Sequence, residues 1–247
     1  MKISVKGVVV KEVNYGESDK ILTVLTAEYG IISAIAKRCR NLKNKSGASP
    51  QLLSYCSFLF YESKRGYIVN DCEVLEVFWG VIKDLKSLSL AQYFCELALA
   101  LSPESPNSQD FLRLFLNCIF YLSNKNKDML LIKSIFEMRS MSLCGYIPNL
   151  VYCNKCKKYN PEKIKFYINR GIIICGDCSK KYFIGGHDIA PGVLFALRHI
   201  IYSENEKLFS FKISDESLET LSLVSEKYVA YHLDIEFKSL NFYKSLY

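Results

Sequence analysis

Residues 3–13 read ISVKGVVVKEV, residues 19–26 DKILTVLT, residues 31–38 IISAIAKR, residues 55–63 YCSFLFYES and residues 66–77 GYIVNDCEVLEV. Each run is short and rich in Val, Ile, Tyr and Phe, side chains that suit a pleated, half-buried surface. Turn chemistry separates them at Tyr15-Gly16-Glu17-Ser18, at Tyr29-Gly30 and at Lys64-Arg65-Gly66. Five strands within residues 1–80 offer too little area for two stacked sheets, whereas closure into a barrel removes the exposed edges. The expectation is a five-stranded OB-type barrel, with an SH3-like barrel as the alternative.

From Val81 the spacing becomes helical. Val81, Leu85, Leu88, Tyr93, Leu97 and Leu101 recur every three or four residues, and Pro103 and Pro106 end the pattern. A second helix begins near Asn107 or Ser108 and runs through FLRLFLNCIFYL; a third, MLLIKSIFEMRSMSLC, is closed by Gly145 and Pro148. The fold class expected is therefore α+β: an OB-type barrel over residues 1–80, then a helical domain in two parts, 81–150 and 182–247, with a cysteine module embedded at 151–181.

Half of the 247 residues are hydrophobic and 23% are charged, which excludes a disordered or collagen-like chain. The longest uncharged stretches, Ser46–Tyr61 and Ser140–Asn154, cover 16 and 15 residues, short of the ~20 apolar residues of a membrane span. Lys6 and Lys11 interrupt the apolar opening before a signal-like core forms, so a cytoplasmic, reducing location is expected.

Of the ten cysteines, four carry the most specific signal in the chain. Cys153-x-x-Cys156 is followed after 18 residues by Cys175-x-x-Cys178, the spacing of two knuckles that offer four sulfurs to one tetrahedral zinc ion. The interval PEKIKFYINRGIII reads as a hairpin turning at Asn169-Arg170-Gly171. A filled tetrahedron leaves no position for water or substrate, so such a zinc is structural. The alternatives are a redox pair or metal-free buried thiols, and against the redox reading neither CxxC is expected to open a helix after a strand. His187, His199 and His232 stand apart from the cysteines and read as core or surface histidines. Cys56, Cys72, Cys95, Cys118 and Cys144 read as small hydrophobes, and Cys39 as incidental despite its basic neighbours.

The net charge of +7 is concentrated in two places. Lys37, Arg38, Arg40, Lys43 and Lys45 follow one another with no acidic residue between Glu28 and Glu62, and residues 151–181 carry eight basic against two acidic side chains. A basic loop on a small barrel attracts phosphates, although a solvated loop carries the same signature. Tyr29, Tyr55, Phe58, Phe60 and Tyr61 offer rings for stacking bases, several of them necessarily in the core.

The segments Gly7-Val8-Val9-Val10, Tyr15-Gly16-Glu17-Ser18-Asp19-Lys20-Ile21-Leu22-Thr23, Thr26, Tyr29-Gly30 and Ser33-Ala34-Ile35-Ala36-Lys37 resemble the opening of the RecO family of bacterial DNA repair and recombination proteins. Phe136-Glu137-Met138-Arg139, Gly145-Tyr146-Ile147-Pro148, Cys153-Asn154-Lys155-Cys156, Gly171-Ile172-Ile173-Ile174-Cys175 and Phe237-Lys238-Ser239-Leu240 continue the likeness over nearly the whole length. The resemblance implies an N-terminal OB domain, a helical domain and, in many members, a four-cysteine zinc module. It implies a non-enzymatic mediator that binds single- and double-stranded DNA and anneals complementary strands. With the partner RecR, such a mediator helps load the RecA recombinase onto DNA coated by single-strand-binding protein. Lys37, Arg40, Lys43 and Lys45 carry over as DNA contacts and the four cysteines as zinc ligands; where the family has glycine after the lysine, this chain has Arg38.

Two other classes are weighed. A zinc-ribbon factor acting on RNA or in transcription shares the charge and the cysteines, and a zinc hydrolase or deaminase needs an open ligand position and an H-x-E signal that the chain lacks. Gly16-Glu17-Ser18-Asp19 reads as a turn, and no GxxxxGK[ST] phosphate loop is present.

Overall fold

The structure is a computed structural model that describes residues 1–37, 50–64, 66–103, 108–182 and 185–246, apart from the side chains of 181 and 182. Residues 1–126 with 237–247 form one compact unit and residues 127–236 a second.

The first unit opens with β1 (Lys2–Tyr15), β2 (Asp19–Thr26), β3 (Gly30–Ala36), β4 (Ser54–Ser63) and β5 (Gly66–Val77), closed in the order β1-β2-β3-β5-β4. β5 crosses over to lie parallel to β3, pairing Ala34 with Tyr67 and Ile35 with Ile68, while β1 pairs with both β2 and β4. This is the five-stranded Greek-key barrel of the OB type. From Lys2 the register leads to Tyr61, Ile68, Ile35 and Ile21 and comes back to β1 at Val13. That stagger is what closing a small barrel of tilted strands requires.

Strand alternation fills the interior. Cys56, Phe58 and Phe60 point inward from β4 against Val5, Leu22, Val24 and Ile32, with the two Phe rings stacked at 5.1 Å. Val8, Val9 and Val10 are all buried, because helices pack on the outside of β1 where it bulges between Val9 and Lys11. Gly7 permits a close approach in the same strand: a Cβ there would stand 2.6 Å from the Leu25 carbonyl oxygen.

The helix expected from Val81 is two helices, α1 (Trp79–Ile82) and α2 (Leu85–Leu101). Asp84 interrupts them in an extended conformation, its carboxylate accepting from the Ser87 amide at 3.0 Å and hydroxyl at 2.6 Å and pairing with Lys125 at 3.0 Å. The Ser87 bonds first, and Lys125 second, hold the Asp84 carboxyl down at about 2. Asp84→Ala is expected to lower stability by ~1 kcal/mol through loss of this cap. Because the folded value is depressed, the contribution is present above the ordinary carboxylate value and fades as pH falls toward about 2. Urea unfolding followed by Trp79 fluorescence at pH 7 and pH 2 checks both points.

α3 (Ser108–Asn124) buries Phe111, Phe115, Cys118 and Leu122, and its Ser108 hydroxyl donates to the Ala27 carbonyl at 2.6 Å. α8 (Lys238–Lys244) returns to α2, where Glu96 accepts from the Ser239 hydroxyl at 2.9 Å and Phe237 meets Tyr93 edge-on at 5.3 Å.

The second unit holds α4 (Met129–Leu143), capped by Asp128, then β6 (Ile164–Tyr167), β7 (Ile172–Cys175), α5 (Gly176–Tyr182), β8 (His187–Ile189), α6 (Pro191–Tyr202) and α7 (Asp215–Leu233). β6 and β7 form the expected hairpin, turning through a 3-10 turn at 168–170 with Gly171 left-handed at φ 59°, and β8 adds a third strand beside β6. α4 and α7 pack through a buried polar cluster. Lys133 Nζ lies 3.1 Å from Glu137 and 3.1 Å from Glu226, and Ser225 donates to Glu137 at 2.5 Å. Arg139 reaches the carbonyls of Ile200 and Ile201 at 3.3 and 2.6 Å, so its cation meets the negative end of α6. No helix among the described residues is long and apolar enough to cross a membrane.

Candidate metal centre and nucleic-acid surface

The four cysteines singled out by spacing converge. Among the described residues, the sulfurs of Cys153, Cys156, Cys175 and Cys178 lie within 4.8 Å of one another. The first knuckle is a tight turn in which the Lys157 amide donates to the Cys153 carbonyl at 2.9 Å, with Lys157 at φ 65°. Its neighbour Asn154 donates to Ile173 at 2.9 Å, which ties the knuckle to β7. Cys175 ends β7 and Cys178 lies within α5, so the second CxxC does sit at a strand-to-helix junction, contrary to the sequence reading. That junction places Cys175 beside the first knuckle, with Cys156 and Cys175 sulfurs 3.6 Å apart.

Burial pushes the Cys153 thiol up, but amide donors from Cys156, Cys175 and Lys155 outweigh it and bring the thiol down to about 6. Burial and the neighbouring Cys175 and Cys156 push Cys178 up to about 12. Four acids crowded together cannot all ionise without a counter-charge, and a divalent cation supplies one. Paired knuckles, sulfur donors and amide bonds to sulfur fit a closed tetrahedral site for a metal ion.

One residue outside the module holds it in place. Arg198 of α6 donates to the carbonyls of Leu150, Val151 and Tyr159 at 2.8, 2.7 and 2.6 Å and to Asn160 at 2.9 Å, its guanidinium 4.4 Å from the Tyr159 ring centre. No spacing pattern marks this arginine, because its partners are backbone oxygens some forty residues away. The histidines stay out of the metal cluster: His199 and His232 bond the Lys207 and Ile168 carbonyls at 2.8 and 3.0 Å.

Lys37 stands exposed immediately after β3. Arg38, Arg40, Lys43 and Lys45, with Cys39, lie outside the described residues. Of the nearby rings, Phe58 and Phe60 are core, whereas Tyr29 and Tyr61 are exposed by 51% and 45%, leaving faces open to a ligand. On the four-cysteine module Lys157 lies over Tyr152 at 4.5 Å and Lys165 pairs with Asp188 at 2.9 Å, so not every cation there is available.

The family model for the N-terminal part of recombination protein O matches residues 1–78, and that for its C-terminal part matches residues 82–241. The chain is 34% identical over 244 residues to the DNA repair protein RecO of Acetivibrio thermocellus, covering 99% of this chain and 97% of that protein. It is 30% identical to the DNA repair protein RecO of Caldicellulosiruptor saccharolyticus over 98% of both chains, and 28% identical to that of Alkaliphilus metalliredigens over the whole of both. With both halves matched in order, on a barrel and a helical unit of the kind the likeness implies, this chain belongs to the recombination protein O (RecO) family of DNA repair proteins.

Proposed function

We propose that the protein is a cytoplasmic, non-enzymatic recombination mediator that binds single- and double-stranded DNA and anneals complementary strands. With RecR it helps place the RecA recombinase on DNA coated by single-strand-binding protein. The observation that carries this reading is the match of both family parts along the chain. The OB-type barrel supports it, since barrels of this type hold single strands on an outer face and its loops. Annealing needs charge screening and proximity, because base pairing supplies the driving force; no ATP is required. Contacts to phosphate read the backbone, so annealing is sequence-tolerant.

The metal we assign is one structural Zn²⁺ at Cys153, Cys156, Cys175 and Cys178, by the chemistry of four thiolates in a closed site. With two positive charges against four thiolates the centre is about −2, and the basic side chains around it leave the module positive.

The deciding experiment is a fluorescence annealing assay on two unrelated complementary pairs, bare and coated with single-strand-binding protein, with and without ATP. Faster-than-spontaneous annealing of both pairs without ATP, suppressed by salt, is expected. A strict need for ATP or for one sequence overturns the mechanism. Lys37, Arg38, Arg40, Lys43 and Lys45 are proposed as phosphate contacts. Each neutralised phosphate contributes about −0.7 to the log–log salt slope on single strands. Lys43→Ala with Lys45→Ala should therefore flatten that slope by roughly one to two units and weaken all sequences alike. An unchanged slope and affinity would count against these phosphate contacts.

A further inference from the structure

An open-sided cleft of about 630 Å³ in the second unit lies outside the metal centre and the barrel. Its size is that of small-molecule sites, ~300–1,000 Å³. Three elements form it: the turn after β6, the Gly185-Gly186 approach to β8, and a face of α7.

The floor is closely packed. Gly186 lies flat against the Tyr167 ring, so close that a Cβ would stand 2.9 Å from it. Above it Tyr231 is 58% exposed, yet its ring is held edge-on to His232 at 5.3 Å, and His232 is anchored on the Ile168 carbonyl at 3.0 Å. A positioned, exposed aromatic face suits stacking by another flat ring.

Three polar side chains converge on the same space. Asn169, His187 and Lys227 line the cleft, and none has a hydrogen-bond or ion-pair partner among the described residues. The acid closest in sequence, Asp188, is committed to Lys165 at 2.9 Å. Burial first, and then the Lys227 ammonium, disfavours protonation of His187, with Asp188 acting the other way and Lys165 with Lys227. Lys227 thus brings to the cleft an ammonium with no ion-pair partner among the described residues, while Asp188, paired with Lys165, also acts on His187.

An anion-seeking cation, a free amide and an aromatic face together match the three parts of a nucleotide. We infer that the cleft binds one nucleotide unit, with its phosphate at Lys227 and His187, its base on the Tyr231 ring and the Asn169 amide at the base edge. The inference rests on the nucleic-acid reading above and places a contact far in sequence from the barrel. The nucleotide is either free or a residue of a single strand, and the two sources are separable.

The test uses the full chain, wild type and the variants Tyr231→Ala, Tyr231→Phe and Lys227→Ala. Both positions are exposed, and unchanged thermal midpoints confirm folding. Oligothymidylate carrying 4-thiothymidine is cross-linked and mapped, affinity is read by anisotropy, and dTMP is added as competitor. The expected result is a cross-link within residues 227–231, with affinity about tenfold weaker in Tyr231→Ala and near wild type in Tyr231→Phe. Lys227→Ala should be weaker severalfold. Displacement of that cross-link by dTMP assigns the cleft to a nucleotide alone, and its persistence assigns it to a strand. Cross-links confined to the barrel, with both alanine variants at wild-type affinity, overturn the cleft and leave the DNA-binding reading standing. If the wild type binds no strand, the broader reading fails instead, and protection of residues 227–231 from hydrogen exchange by dTMP then decides the cleft by itself.

Discussion

Cys175→Ser is expected to release the metal and to unfold the module built on it. Cys175 joins β7 to α5, and its amide donates to the Cys153 sulfur at 3.3 Å, so the residue belongs to both knuckles. The local core is thin: Cys153, Tyr167, Ile174 and Cys175, with Ile172 and Cys178 beside them, so two of its four buried members are proposed metal ligands. Structural zinc contributes apparent free energies of ~10–16 kcal/mol in small modules, far above what so few apolar side chains supply. The variant should therefore precipitate or expose the hairpin to protease, and a strong chelator should do the same to the wild type. Metal analysis of native protein purified without chelator is the direct check. A result well below one zinc per chain would falsify the assignment.

The second large effect lies in the buried ion cluster. Lys133 is 1% and Glu137 0% exposed, and the ammonium sits between Glu137 and Glu226 with Ser222 as a further acceptor at 3.2 Å. Lys133→Ala removes the cation from two carboxylates, one wholly buried, and is expected to destabilise the second unit by ~3–5 kcal/mol. Lys133→Met with Glu137→Leu should recover most of that loss, because an apolar replacement of a buried pair is often close to neutral. The only tryptophan, Trp79, belongs to the first unit, so its fluorescence does not report this event. Hydrogen exchange of peptides from α4 and α7 does. Unchanged protection in Lys133→Ala would show that the cluster is incidental to the packing of these helices.

Phe136-Glu137-Met138-Arg139 shows how a resemblance and a structure divide the explanation. The likeness marks the segment; its contacts give it a physical role. Phe136 fills the core, Glu137 holds Lys133, and Arg139 binds the end of α6. The segment is architectural in the second unit.

The five strands, the hairpin between the knuckles and the convergence of the four cysteines were legible in the sequence. Each is set by short-range physics: β-branched and aromatic runs, turn residues, and two cysteine pairs whose two-residue spacing suits one ion. The break at Asp84 was missed because the apolar period runs through it; only the bonds to Ser87 and Lys125 show an N-cap. The strand-to-helix setting of Cys175 was missed because β7 has only four residues, and the helix after it only seven.

Tertiary structure alone decided the rest. Closure of the barrel with β5 parallel to β3 depends on a crossover that periodicity does not encode. Arg198 at the metal module, α8 against α2, and Asn169, His187, Lys227 and Tyr231 around one cleft unite residues distant in the chain. Periodicity tells which side of an element is apolar, but not which other element it meets. That choice is made by packing the whole chain, and the sites that depend on it appear only there.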